Sequence, residues 1–220
     1  LWLGTNHGVL LMDDGRQQVY THDRADMQSI AGEDIWSMLI DHQGDLWVGM
    51  FYNGLSLYRS PSAQVTRHLG RRSGGDLPGD MIRPLVAVDD RHILAGAEDG
   101  GLIQLDLVDD SIEDLTFPGP DGSILNIQGL CLRGNDLWIA TFGNGVYRMD
   151  FPSRKIRENY LPDLSAATVA STRDGDIYLG TTAGLYLYDR AEDRFQSCPE
   201  FGSMFIHAIY EDSRGYLWIG

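Results

Sequence analysis

Two sets of positions in this chain carry side chains suited to binding chemistry. Just after the first apolar residue of a recurring segment stand Trp36, Arg83, Gln128, Val169 and His207. In recurring turns that end in glycine stand His7, Phe51, Tyr52, Asn53, Glu98, Asp99, Phe142 and Asn144. Aromatic faces beside amides and carboxylates suit a sugar, because C–H groups stack on a ring while hydroxyls take directional hydrogen bonds. The residue type changes from copy to copy, as recognition of an asymmetric molecule requires and a scaffold does not. Structural roles compete at each site. Asn53 and Asn144 precede glycine, and Asn-Gly is favoured in tight turns for its positive φ, so the turn role ranks ahead for both. A turn has no need of Phe51, Tyr52 or Phe142, and for these the two roles weigh about equally. His207 alone reads first as a solvated or hydrogen-bonded strand histidine.

Catalytic signatures are missing from the sequence. There is no Gly-x-Ser-x-Gly elbow, P-loop, His-Glu-x-x-His or EF-hand loop, and the six histidines are scattered without metal spacing. No catalytic residue, metal site or cofactor is therefore assigned. Abundant carboxylates leave an acid–base pair open. Asp41, Asp89, Asp174 and Asp212, however, recur at one phase of the repeat, where aspartate accepts the backbone hydrogen bonds of a turn. A catalytic residue should occur once, off the period, with neighbours that perturb its pKa.

Composition narrows the partners. The formal charge is −15, with 32 acidic against 17 basic residues, and Lys155 is the sole lysine. Such a chain repels a polyanion unless its basic groups cluster, and Arg71–Arg72 is the single adjacent arginine pair, so nucleic acid is not expected. No run approaches the roughly 18 apolar residues of a membrane span, and no basic-then-apolar leader opens the sequence. Because the chain begins inside a motif, it is expected to be cut from a longer protein. Cys131 and Cys198 fit neither a disulfide framework nor a CxxC site and read as a core thiol and a loop thiol.

The elements that position these residues are written as a repeat. LWLGT, LWVGM, ILAGA, LWIAT, IYLGT and LWIG start at residues 1, 46, 93, 137, 177 and 217, spaced by 45, 47, 44, 40 and 40. Each internal copy follows a turn rich in Asp, Asn or Gly, and each complete copy precedes a short turn ending in glycine, the mark of consecutive antiparallel strands. Residues 35–69 contain four such strands: IWSMLID, DLWVGM, GLSLYR and QVTRHL. A period of this length with four strands predicts an all-β fold, a β-propeller of four-stranded antiparallel blades, with about five blades spread over 1–220. The second strand is apolar on successive positions, so both faces should be buried between blades. Its fourth residue is always small (Gly4, Gly49, Gly96, Ala140, Gly180, Gly220), which predicts close approach of a bulky group from the next blade. The ring at its second position (Trp2, Trp47, Trp138, Tyr178, Trp218) is the expected bulky group, and a buried one.

The stretch SIAGEDIWSMLIDHQGDLWVGMFYNGLSLYR, and IHAIYEDSRGYLWIG at the end, resemble the two-component regulator propeller repeat, in which an Ile-x-x-Ile strand leads through Asp-x-x-Gly-x-Leu-Trp-Ile-Gly-Thr to a Gly-Leu strand. The copy at Ile93 departs from that pattern, lacking the aromatic and the tight Asp-x-x-Gly. The resemblance implies part of a seven-bladed ring, in a sensor input domain outside the cytoplasmic membrane of a Gram-negative bacterium. It also implies attachment to a membrane helix and a histidine kinase or diguanylate cyclase output. The expected partner is a small-molecule or oligosaccharide ligand held by Trp36, Arg83, Gln128, His207, His7, Phe51, Tyr52, Glu98, Phe142 and Asn144, with a homodimer through the parent protein and a periplasmic location. A protein-interaction scaffold ranks second, and a propeller lyase or glycoside-cleaving enzyme third.

Overall fold

The computed structural model describes residues 1–60 and 62–220. Among them are 21 β-strands, two single-turn 3₁₀ helices (Arg71–Ser73 and Pro199–Phe201) and no α-helix. The chain divides into two compact units, Leu1–Phe117 and Pro118–Gly220. In the first, β1 (Trp2–Thr5), β2 (Gly8–Asp13) and β3 (Arg16–Tyr20) form a three-stranded sheet. Next come β4 (Ile35–Ile40), β5 (Leu46–Met50), β6 (Leu55–Arg59) and β7 (Gln64–His68), then β8 (Ile82–Ala87), β9 (His92–Ala97), β10 (Gly101–Asp106) and β11 (Ile112–Asp114), each set a four-stranded sheet. The second unit contains the sheet β12 (Ile127–Arg133), β13 (Asp136–Thr141), β14 (Val146–Asp150) and β15 (Lys155–Tyr160). It continues with β16 (Ala166–Ser171), β17 (Ile177–Thr181), β18 (Gly184–Asp189) and β19 (Arg194–Ser197), and closes on a pair, β20 (Ile209–Glu211) and β21 (Leu217–Ile219). Within each sheet, strands adjacent in sequence pair antiparallel, giving about five blades of a partial propeller. The four strands expected within 35–69 are β4 to β7, each placed to within a residue or so.

Burial of the second strand follows the apolar run. Every residue of β5 is buried, as are the last five of β9 and of β13, so these strands present no wet face. Trp47 is 1% exposed and Trp138 2%, whereas Trp218, on the two-stranded final sheet, is 59% exposed. Trp2 is intermediate, packed against Tyr20 and Tyr58 at centroid distances of 5.7 and 5.5 Å. The small fourth residue does answer to a close neighbour, but that neighbour is not the ring. A Cβ on Gly49 would lie 2.8 Å from the Ile82 carbonyl oxygen, and one on Gly4 would lie 2.7 Å from Ile35 Cγ2. On Gly180 it would lie 2.8 Å from both Ile206 Cγ2 and the Ile206 carbonyl oxygen. The crowding thus comes from the isoleucine that begins the innermost strand of the next sheet, or stands three residues before it, together with a side chain of the glycine's own inner strand, Ser37 at Gly49 and Thr168 at Gly180. The rings fill space further out: Trp138 packs on Tyr188 and Phe195 of the following sheet, at 4.8 and 5.7 Å.

The aspartate six residues before the tryptophan has a specific use. Asp41 is buried, and its Oδ1 accepts from the Gln43 and Asp45 amides at 2.9 and 3.0 Å while Oδ2 accepts from Trp47 Nε1 at 2.9 Å. Asp212 repeats the arrangement with Arg214, Tyr216 and Trp218. One carboxylate therefore closes the hairpin turn and satisfies the indole N–H that burial would otherwise leave unpaired. Asp89 serves the same turn through the Arg91 and His92 amides. Asp174 does not share the phase assigned to it: in that hairpin Thr172 Oγ1 accepts from the Asp176 amide. Cys131 is a buried free thiol and Cys198 a partly buried one.

Trp47→Ala should cost about 3–5 kcal/mol in chemical denaturation, the usual loss for a deleted buried aromatic. Gly49→Ala should cost about 1–3 kcal/mol, because its methyl meets a backbone oxygen that has no rotamer by which to yield. Normal melting of either variant would contradict this packing.

Candidate ligand-binding site

The inner strand of each four-stranded sheet contains a β-bulge at one end. In the β4–β5 ladder the register shifts between Ile35 and Ser37, leaving Trp36 unpaired. In β12–β13 it shifts between Ile127 and Gly129, leaving Gln128, and in β8–β9 between Ile82 and Leu85, spanning Arg83 and Pro84. A bulge bends its strand and re-aims the extra side chain. That is why polar and aromatic residues stand where a regular inner strand would bury them. In the fifth copy the register shifts between Ala166 and Thr168, so the equivalent position is Ala167. Val169, expected there from spacing, is instead a 5% exposed core residue paired with Leu179.

Two repeated backbone bonds fix the neighbouring loops. The amide just after the second strand donates to the carbonyl just before the first: Phe51 to Asp34, Glu98 to Met81, Phe142 to Asn126 and Thr182 to Ser165, at 2.9–3.0 Å. The turn glycine then donates to the segment leading into the next sheet: Gly8 to Glu33, Gly54 to Asp80 and Gly145 to Leu164. These glycines adopt φ of 105°, 84° and 67°, and a Cβ on any of them would collide with a carbonyl oxygen. Where the motif ends in threonine, as at Thr5, Thr141 and Thr181, its hydroxyl donates back across the turn to the carbonyl of Gly8, Gly145 or Gly184.

On this frame the first unit brings five of the named residues into one array. The Tyr52 and Phe51 rings lie 4.3 Å apart, Phe51 lies 4.2 Å from Trp36, and the Arg83 guanidinium sits 4.0 Å over the Trp36 ring. Arg83 Nε and Nη2 in turn reach Glu98 Oε1 at 2.8 and 2.6 Å. Trp36 is half-buried against a guanidinium and a phenyl ring, so the aromatic surface free to stack on a ligand belongs chiefly to Tyr52, which is 53% exposed. Asn53 has φ 75° and is spent on the frame, donating from Nδ2 to the Ala31 carbonyl and accepting from Ser73 Oγ. Asp99 likewise accepts from the Asp80 and Met81 amides. His7 is exposed and bonded to Asn6, apart from the array.

The second unit places the remaining residues in smaller groups. Gln128 Nε2 donates to Asn126 Oδ1, and Phe142, 57% exposed, is tied to Asn126 through its amide. Asn144 is half-buried without a positive φ; Gly143 and Gly145 supply the left-handed conformations of that turn. The His207 ring stacks on Phe205 at 3.7 Å. Phe205 and Asn126 are the contributors that the sequence reading missed. Phe205 was legible as an unneeded aromatic in a loop, but Asn126 shows no signal until its partner is known. No group of His, Cys, Asp or Glu among the described residues could hold a metal ion. Every carboxylate whose pKa departs from its ordinary value is held below it, as Asp106 is by the hydrogen bond from Arg91 and Asp193 by those from Tyr160 and Tyr188. A general acid for glycoside cleavage needs the opposite shift.

Residues 29–52 and 200–220 match the two-component regulator propeller family. The chain also superimposes with a TM-score of 0.82 on a structure from B. thetaiotaomicron described as the extracellular domain of a hybrid two component system, at 16% identity, covering 99% of this chain and 30% of that one. A second structure from that organism, described as the extracellular domain of a one component system, gives 0.77 at 25% identity over 100% of this chain and 30% of that one. Virginiamycin B lyase from Staphylococcus aureus gives 0.67 at 15% identity over 84% and 62%. The chain thus spans 30% of the length of the first two structures. No curated protein sequence matches it.

Within the array, a double-mutant cycle on Trp36→Ala and Arg83→Ala should return a coupling of about 0.5–1 kcal/mol in denaturation, the value of a partly exposed cation–π contact. Coupling indistinguishable from zero would mean that the two side chains do not meet in solution.

Proposed function

We propose that this chain, a run of two-component regulator propeller repeats, is part of the ligand-sensing input domain of a bacterial signal-transduction receptor, lying on the periplasmic side of the membrane. Its ligand is a carbohydrate or a similar polar solute, taken up at the loops around the inner-strand bulges. The observation that carries this reading is the Tyr52–Phe51–Trp36–Arg83–Glu98 array, assembled from a bulge and a turn of each of two adjacent sheets. It offers an exposed ring face for sugar C–H groups beside a fixed guanidinium and carboxylate for hydroxyls. The two relatives from B. thetaiotaomicron, described as extracellular domains of signalling systems, support the placement. No helix of the described residues is long and apolar enough to cross a membrane.

The segment is read as non-catalytic, its sequence carrying none of the catalytic signatures named above. Sensing would operate by differential affinity, the ligand favouring one arrangement of domains or protomers over another. Phe142 with Gln128, the Phe205–His207 pair, His7 and Asn144 are assigned as further ligand contacts, each within its own unit, with a homodimer of the parent protein as the responding assembly.

Calorimetry of the full-length protein against a panel of neutral and acidic oligosaccharides should find a binder, and Tyr52→Ala should weaken it at least tenfold while the melting temperature stays nearly constant. Failure of every glycan, together with capture of a specific protein on the same loops, would establish the scaffold reading instead. Polysaccharide turnover abolished by one Asp or Glu substitution would establish an enzyme.

A further inference from the structure

A second polar depression lies within the Pro118–Gly220 unit, at the opposite end of the strands from the bulges. It is a cleft of about 630 Å³ between the hairpin turns of the β12–β15 and β16–β19 sheets, within the size range of small-ligand pockets. Two arginines meet at its rim. Arg133 extends from the end of β12 and donates from Nη2 to the Arg173 carbonyl at 3.0 Å, while Arg190, following β18, donates from Nη2 to the Gly175 carbonyl. Both guanidiniums converge on Gly175, where a Cβ would lie 2.7 Å from Arg190 Nη2 and 3.2 Å from Arg133 Nη2. Gly175 has φ +90°, so the turn keeps this place free of a side chain and leaves room for both forks.

Two of the three carboxylates that line the cleft already have partners. Asp136 is taken by Arg148 at 2.6 Å, and Asp193 accepts hydroxyl hydrogen bonds from Tyr160 and Tyr188. Arg133 and Arg190 make no ion pair among the described residues, although acidic groups outnumber basic ones by 32 to 17 in this chain. Each spends one N–H on a backbone carbonyl, which fixes its direction without neutralising its charge. Part of this is structural. Gln43 reaches the Asp90 carbonyl and Arg173 reaches that of Ser213, so a side chain bridging successive hairpins is a habit of the fold. Gln43 shows, however, that a neutral amide suffices as a bridge, and a bridge gives no reason to bring a second cation to the same point.

We propose that this cleft binds a small molecule through one oxyanion group, a carboxylate, sulfate or phosphate, held between the Arg133 and Arg190 guanidiniums. Planar guanidinium forks with N–H groups to spare match the paired oxygens of such a group, and two of them at one point fix its orientation. Asp174, which also lines the cleft, limits the negative charge that the site accepts. This site is independent of the aromatic array and of its proposed ligand.

The test is titration of the folded protein with sodium acetate, sulfate and phosphate at constant ionic strength against sodium chloride, followed by the Gly175 amide resonance and by melting temperature. At least one of the three should give a saturable shift at Gly175 and raise the melting temperature where chloride does neither, and comparison of the three arms identifies the preferred oxyanion. Arg133→Gln/Arg190→Gln should weaken that binding at least tenfold, and Asp174→Asn should tighten it about threefold, a gain that a purely structural role for these residues would not produce. Should the double variant not fold, Arg190→Lys, which keeps the charge but loses the fork, must weaken binding at least threefold. Shifts matching those of chloride, or a saturable shift unchanged in the arginine variants, mean an adventitious ion only and overturn the proposal.

Discussion

The fold depends on how closely two sheets can approach at the second strand. Where Gly49 faces Ile82, and Gly180 faces Ile206, the backbone of one sheet lies against the first isoleucine of the next with no room for a methyl group. That approach brings neighbouring sheets together at their inner strands, so the gap between them widens outward and takes the large rings. Trp47 and Trp138 occupy the wider part and bury nearly all of their surface there. An indole so placed must have its N–H satisfied, and Asp41 does this for Trp47 while also closing the preceding turn. Glycine, tryptophan and aspartate in the motif are thus three consequences of one spacing.

Regular packing of this kind makes most of each strand unavailable for recognition. A residue paired on both sides and covered on both faces can change only in volume. Individuality has to appear at the strand ends, and the bulge is the device that supplies it. By inserting one unpaired residue before the glycine contact, it turns Trp36, Arg83 or Gln128 out of the ladder without disturbing the register beyond. The amide-to-carbonyl bonds from Phe51 to Asp34 and from Glu98 to Met81 hold the flanking loops against the bulge. The array therefore stands on fixed backbone, and its ring and charge contacts need little reordering to meet a ligand.

Much of this was legible in the sequence because each strand is short, alternates or is doubly apolar, and lies between turn residues with a mechanical reason to be there. β4 to β7 were readable for that reason, and so was the burial of Trp47. The readings that failed concern register. Val169 was taken for a rim residue because SAATVA has no isoleucine to mark where its strand begins, and the bulge at Ala167 emerges only from the pairing with β17. Asp174 was assigned the turn role that Thr172 fills, since either residue can accept an amide hydrogen bond and spacing alone does not choose. The ring was named as the neighbour of the glycine because it is the largest group in the motif, whereas contact is decided by depth in the wedge. The convergence of Arg133 with Arg190 has no sequence signature at all, because it joins residues 57 positions apart in different sheets.

The same rigidity constrains how such a molecule could signal. Sheets in backbone contact through glycine have few alternative packings, and a close-packed core passes between discrete arrangements or stays as it is. A ligand on the rim would therefore gain little differential affinity from rearranging a single sheet. It would gain more by bridging loops of adjacent sheets, as the Trp36–Arg83 contact does, or by touching a surface outside this chain. Under the sensing reading, the responsive element is then the disposition of the propeller relative to whatever it is joined to, and the strands serve as a fixed support. Arg83, paired with Glu98 and resting on Trp36, belongs to that support as much as to the site, since its guanidinium is already positioned before any ligand arrives.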